Sequence, residues 1–425
     1  MYFLYTVLYI LACLLFVPYE YLKRPRDIRA RWLKERLVIV STQDRPFIWV
    51  HAVSVGEVNA STPLIRQLLK KMPSCRILLT TVTDTGQSVA RRIFGDRIYV
   101  RYVPFDIGIL LKRFISAWNI KALIIMETEL WPNMIATAKR CSIPLLLVNG
   151  RLSEGAFKGY RKIKAFMHRL LGQLDYICAQ NETYRDRFLT LGADPKRTIV
   201  TGNLKFDLSI ESAIPEWTRY LKGKVVLAGS THEPEEEIII QAFEQCLWLY
   251  PNAVLVLAPR HPERFGHIER LLLKKGLAYV KRSDIDKSDT VAGFNYVLLD
   301  TVGELSLAYA ACDIAIIGGS FIPHGGQNPL EPAYWGKPII CGPYMYNFPF
   351  IEEFYKAGGA VKANDANLSE VLSRFLSDKD LATKTGNIAR SLIDAHRGAT
   401  EKTMAVLRQT FDEKGKIPHP HGRAE

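Results

Sequence analysis

Short apolar runs alternate with amphipathic stretches along almost the whole chain, in two successive series. The first series covers residues 47–53, 76–82, 98–103, 122–126, 144–149, 175–179 and 198–201. The second covers 224–228, 253–258, 296–299, 313–317, 338–341 and 360–362. Runs this short, separated by helical patterns such as 62–71 and 157–171, predict parallel strands joined by helical crossovers. A chain of 425 residues exceeds what one core supports, so two domains are expected. The class is α/β: two Rossmann-like, doubly wound units facing a central cleft. The pattern weakens after Asp207, and Ala213-Ile214-Pro215 reads as a linker. The expected division is therefore 37–210 and 211–412, with 381–411 mainly helical and a frayed, flexible tail over 413–425.

The N-terminal segment has a different character. Residues 1–17 are almost wholly apolar and uncharged, and Lys23, Arg24, Arg26, Arg29, Arg31, Lys34 and Arg36 follow closely. A secretory signal places its charge first and ends in small residues, and this segment does neither. The run falls slightly short of the roughly 20 residues that span a bilayer, although Tyr19, Tyr21 and Leu22 extend it. Basic residues on its C-terminal side hold the downstream chain in the cytoplasm and attract anionic lipid. Residues 1–36 are thus expected to be a membrane anchor with a basic juxtamembrane segment, single-pass in preference to interfacial.

Net charge is +13, but no nucleic-acid-binding signature accompanies it. The seven cysteines are scattered and show no C-x-x-C spacing, which argues for reduced thiols and against a zinc site.

Candidate chemistry falls where the apolar runs end, the place where open α/β sheets bind ligands. After 47–53 comes the small-residue turn Ser54-Val55-Gly56, then Glu57 at a helix start. Glycine allows close approach of backbone or substrate, and Glu57 is the first candidate for a catalytic base. A first-turn Glu that answers the helix dipole reads the same. After 122–126 comes Glu127-Thr128-Glu129-Leu130-Trp131-Pro132-Asn133, two carboxylates beside an aromatic, suited to a polar acceptor. Helix capping by Glu129 is the alternative. Lys205, in Gly202-Asn203-Leu204-Lys205-Phe206-Asp207, reaches an anion or solvates a hinge.

In the second series, Gly229-Ser230-Thr231-His232-Glu233 precedes an acidic helix start and reads as an anion site or as simple N-capping. Pro259-Arg260-His261-Pro262 supplies a guanidinium for a phosphate. Gly318-Gly319-Ser320 is a loop of backbone donors suited to phosphate. Asn328, Pro329 and Glu331 make a capping box, while a Glu beside a nucleotide also accepts from ribose hydroxyls. Asp284 and Asp286 have metal-ligand spacing but sit in a charged, solvated stretch. Nothing demands a metal or a cofactor, and neither a P-loop nor a full G-x-G-x-x-G is present.

Taken in order from residue 51 to 332, the segments H-A-V-S-V-G-E, M-E-T-E-L-W-P-N, G-N-L-K-F-D, G-S-T-H-E, A-P-R-H-P-E-R, G-G-S and N-P-L-E-P resemble the 3-deoxy-D-manno-octulosonic acid (Kdo) transferases of lipopolysaccharide assembly. The resemblance implies a GT-B glycosyltransferase at the inner membrane, with CMP-Kdo as donor and the glucosamine disaccharide of a lipid A precursor as acceptor. Glu57, in the turn with Ser54 and Gly56, would be the base, kept ionised by the helix N-terminus. The acceptor hydroxyl would attack the anomeric carbon with inversion, through an oxocarbenium-like transition state. Glu127 and Glu129 would orient the acceptor or the base. Ser230, Arg260 with His261, Gly318, Gly319 and Ser320 would offset the charge of the leaving CMP without magnesium, with Lys205 as a further candidate. Asn328 and Glu331 would serve the ribose, and Val302-Gly303 the cytosine. The chain departs from the family at Gln327, where a histidine is common; an amide cannot titrate near neutral pH, and nothing in the sequence makes the nearby His324 its substitute. Another GT-B transferase that uses a UDP-sugar on a lipid-linked acceptor is the alternative.

Overall fold

The computed structural model describes residues 2–210, 213–288 and 293–415. Two compact units make up the chain: one takes in the stretch up to Asp207 and again from His396, the other Leu208–Ala395.

The first unit contains β1 (Phe47–His51), β2 (Arg76–Thr81), β3 (Tyr99–Tyr102), β4 (Ile120–Met126), β5 (Leu145–Gly150), β6 (Tyr176–Ala179) and β7 (Thr198–Val200). They form one parallel sheet in the order β3-β2-β1-β4-β5-β6-β7. Alternate residues of β1 feed opposite cores, as a pleated strand requires. Phe47 and Trp49 pack with Phe114 and Trp118 on one face. Ile48 and Val50 pack with Leu64 and Leu68 on the other. Both faces are covered, so the strands carry continuous apolar runs.

The second unit contains β8 (Val225–Thr231), β9 (Val254–Pro259), β10 (Tyr279–Lys281), β11 (Tyr296–Leu298), β12 (Ile314–Ile317), β13 (Ile339–Cys341) and β14 (Ala360–Lys362). Their order is β10-β11-β9-β8-β12-β13-β14, again parallel. The three-residue edge strand β10 was not expected, because so short a run carries no readable period. In each sheet the winding reverses beside its first strand, between β1 and β4 and between β8 and β12. These are the switch points at which such sheets bind ligands.

Three features differ from expectation. The pattern over 157–171 is two helices, Glu154–Arg161 and Lys164–Leu171. The first buries none of its residues and the second buries Phe166, Met167, Leu170 and Leu171, so the break turns one apolar face inward. The helix Ala399–Lys414 belongs to the first unit, not the second, and it continues past 412. Its Ala399, Leu407 and Phe411 share a core with Ile48 and Val50. Asp207 fastens its start, accepting the Gly398 N–H at 2.7 Å and the Thr400 N–H, which answers the helix dipole as a capping residue does. The expected tail beyond residue 415 lies outside the described residues.

Residues 2–36 are also part of the first unit. The helices Tyr2–Lys23 and Arg26–Arg36 bring Trp32, 3% exposed, against Tyr102 and Phe105. Arg36, expected in the basic juxtamembrane run, is buried instead, with its guanidinium 4.4 Å from the Phe105 ring.

Candidate active site

After β1 the chain turns into the helix Val55–Lys71, which places Glu57 in its first turn, 8% exposed. Its Oε2 accepts the Val53 N–H at 2.7 Å and its Oε1 the Ser54 hydroxyl at 3.1 Å. Glu57 therefore closes a helix start and stands at a switch-point strand exit at the same time. Burial pushes its pKa up to about 8; the Val53 bond opposes this, and the charges of Glu129 and Glu127 add to it. This runs against the expectation that the helix start keeps Glu57 ionised, because desolvation outweighs the hydrogen bonds from Val53 and Ser54. A carboxyl that titrates near 8 is matched to proton removal close to neutral pH. Gly56 is exposed, and the nearest atom to a Cβ built there is Ser54 Oγ at 3.8 Å. The chain's own packing does not require glycine at that position.

At the end of β4, Glu127 takes a left-handed backbone, φ 53°, a conformation that costs a side-chain-bearing residue about 1–2 kcal/mol. It lies 3.0 Å from Lys205 Nζ through its Oε1. Lys205 sits on the short turn Leu204–Phe206, which is pinned where Asn149 Oδ1 accepts the Leu204 N–H at 3.0 Å. Lys205 thus joins the carboxylates of the first unit. Glu129 accepts the Trp131 indole N–H at 2.8 Å, and Trp131 in turn meets the edge of the His51 ring at 5.4 Å. His51 is fully buried, which holds its pKa down to about 3 and keeps it neutral. Glu129 titrates above the usual carboxylate range because it is buried, with the Trp131 bond opposing and the Glu127 charge adding. It does not cap the next helix. Asp106, to which no sequence motif points, does so by accepting the Asn133 and Met134 N–H groups at 3.1 and 2.7 Å.

In the second unit the exit of β8 carries the same kind of strain. Ser230 bulges from the strand with φ 58°. A Cβ on Gly318 would stand 2.3 Å from the Ser230 carbonyl oxygen, so glycine there lets the exits of β8 and β12 approach. The expected phosphate loop is already occupied. Glu235, fully buried, accepts the N–H groups of Gly319 at 2.6 Å, Phe321 at 2.8 Å and His232 at 2.9 Å. The Gly318 N–H donates to Gly229 at 2.9 Å, and the buried Ser320 hydroxyl accepts from the Gly342 N–H at 2.7 Å. The N–H groups of Gly318 and Gly319 are therefore spent within the chain and are not offered to a phosphate.

His232 lies beside that loop. Gln327 Nε2 is 3.1 Å from His232 Nε2, and the rings of His324 and His261 lie 4.0 and 5.6 Å away. His324, given no role from the sequence, therefore packs its ring, tilted by 35°, against the imidazole of the G-S-T-H-E segment. Burial, followed by the charges of His324 and His261, lowers the His232 pKa to about 4, so it is neutral and Gln327 donates to it. Arg260 is exposed at the end of β9, and its charge draws the Glu331 pKa down against a larger rise from burial. Arg264, the last residue of the A-P-R-H-P-E-R segment, is instead a half-buried clamp, bidentate on the buried Glu236 at 2.6 and 3.1 Å. Asn328 accepts the Leu330 N–H at 3.1 Å and donates to Glu331 Oε1 at 3.3 Å, but the helix starts one residue later than expected, with Pro329 at its N-cap, so the expected capping box does not form. Val302, 59% exposed, and Gly303, φ 99°, form an open turn after β11.

Two Rossmann-like units, each with its polar groups at a switch point, define a protein of the GT-B class. UDP-GlcNAc 2-epimerase from Neisseria meningitidis shares this fold at a TM-score of 0.58, with 15% identity over 87% of this chain and 100% of that one. MurG from Acinetobacter baumannii does so at 0.50, with 13% identity over 86% and 99%. A family profile described as 3-Deoxy-D-manno-octulosonic-acid transferase (kdotransferase) matches residues 31–208. The 3-deoxy-D-manno-octulosonic acid transferase of Haemophilus influenzae is 36% identical over 85% of this chain and 86% of its own. That of Bordetella pertussis is 32% identical over 85% and 86%. The chain belongs to the 3-deoxy-D-manno-octulosonic acid transferase family and is a glycosyltransferase.

Proposed function

We propose that the protein transfers Kdo from CMP-Kdo to the glucosamine disaccharide of a lipid A precursor, lipid IVA, with inversion at the anomeric carbon. The observation that carries this reading is Glu57, a buried carboxyl at the β1 switch point whose pKa is raised to about 8. In this reading Glu57 takes the proton of the attacking hydroxyl as the bond to the anomeric carbon forms. Such a base contributes roughly 10²–10⁴ in rate. Glu127, braced by Lys205, and Glu129, braced by Trp131, hold the acceptor sugar. On the donor side, Arg260 with Ser230 and His261 meets the phosphate of the leaving CMP. Glu331, steadied by Asn328, takes the ribose, and the open turn at Val302-Gly303 takes the base. The apolar helix Tyr2–Lys23 keeps the enzyme at the cytoplasmic face of the inner membrane, where basic residues meet anionic lipid and the acceptor resides.

Calorimetric titration with CMP and UDP tests the donor. CMP is expected to bind at least tenfold more tightly than UDP and to weaken in Arg260→Ala. Tighter UDP binding would make the protein a UDP-sugar transferase instead.

A further inference from the structure

We infer that the helix Tyr2–Lys23 lies in the plane of the bilayer surface and does not cross it. The helix has 22 residues, so it is about 33 Å long, enough to span. Its contacts with the rest of the first unit run from one end to the other. Tyr2 packs on Phe166, with ring centroids 5.5 Å apart. The Tyr5 hydroxyl donates to Asp106 Oδ2 at 2.8 Å, and Asn133 Nδ2 donates to Thr6 Oγ1 at 2.9 Å. Tyr9, Cys13 and Val17 lie against the cluster of Trp32, Tyr102 and Phe105. Just past the last turn, Arg24 Nε reaches Asp84 Oδ1 at 3.3 Å.

The opposite face is bare. Leu4, Leu8, Leu11, Leu15 and Leu22 are each more than half exposed, and so are Phe3, Leu14, Phe16 and Tyr19 to either side of them. At 3.6 residues per turn the five leucines lie at the middle of a bare surface that covers about 220° with its flanking residues, and Tyr2, Tyr9, Cys13 and Arg24 fall in the remaining sector. A spanning helix has hydrocarbon on every side over about 30 Å. Here that orientation would drag Asp106 and Asn133 into hydrocarbon, where polar and ionisable groups are strongly disfavoured. A helix tied to a polar protein surface from one end to the other, with apolar side chains over the rest of its circumference, fits the interface plane. Charge fits too, since Lys23, Arg26, Arg31 and Lys34 are exposed at its C-terminal end and on the next helix, placed for anionic headgroups.

This orientation also ties the membrane to the candidate site. Asp106, which accepts from Tyr5, also caps the helix Pro132–Arg140 that comes after the Glu127–Trp131 loop. The in-plane placement does not depend on the reaction proposed above.

Nitroxide labels at positions 4, 8, 11, 15 and 22, one at a time, test it by depth measurement in phosphatidylethanolamine–phosphatidylglycerol vesicles. The full chain is used with Cys13 and Cys141 replaced by Ala, since the other five thiols are buried. The expected result is one shallow depth at all five positions. A depth profile that peaks near residue 11 and falls toward both ends would overturn the inference in favour of a spanning helix. Labels that stay aqueous in the presence of vesicles, with or without a concentration-dependent dimer, would overturn it as well.

Discussion

Lys205 Nζ stands 3.0 Å from Glu127 Oε1, a carboxylate whose charge, with that of Glu129, acts on Glu57. The Glu127 and Glu129 charges both raise the Glu57 pKa. Glu127→Gln is therefore expected to move the rising limb of kcat/KM against pH below its position near 8. Lys205→Met leaves Glu127 uncompensated and is expected to move it higher. A limb that stays in place in both variants would remove Glu57 from the role of base.

The same raised pKa has a consequence for stability. Glu57 holds its proton to about 8 in the folded protein, against an ordinary 4.5. Between those values the unfolded chain has already lost the proton, so the stability linked to this group falls as pH rises through the window and levels off above it. Glu57→Gln removes that titration while its amide still accepts from Val53 and meets the Ser54 hydroxyl. The variant is expected to gain on wild type in thermal unfolding from pH 5 to 8. A constant difference across the range would show that Glu57 is not raised.

Glu235→Ala is expected to destabilise the protein by about 3 kcal/mol or more. It orphans buried N–H groups of His232, Gly319 and Phe321, each costing about 1–3 kcal/mol when unpaired. Denaturant titration measures the loss. A change below about 1 kcal/mol would mean the loop holds without the carboxylate.

Asp207→Ala removes the acceptor of the Gly398 and Thr400 N–H groups, a capping loss of about 1–2 kcal/mol. Amide exchange is expected to speed up over Ala399–Lys414 and to leave β8–β14 unchanged. Uniform exchange across both units would contradict the assignment of this helix to the first.

The features legible in the sequence are those that local pattern encodes. Parallel strands buried on both faces announce themselves as apolar runs, which is why β1 and β4 and the polar turns after them could be found. The rest depends on contacts between distant residues. Glu235 sits in an acidic helix start that reads as dipole compensation, yet its partners Gly319 and Phe321 lie more than eighty residues away. Asp106 has no motif around it, and its purpose appears only once Asn133 folds against it. The Glu57 pKa runs against expectation because burial, its largest cause, is a tertiary property that a helix start in the sequence does not reveal. His324 gains its place by packing against a residue from another loop.

Mass spectrometry of a tetra-acylated lipid A precursor incubated with CMP-Kdo, with wild-type protein and with Glu57→Gln in parallel, tests the proposed reaction most directly. Wild type is expected to add the mass of Kdo, and Glu57→Gln, folded and able to bind CMP, is expected to add none in the same time. No mass gain with folded, CMP-binding wild type would contradict the acceptor. Equal gain with both would contradict Glu57 as the base.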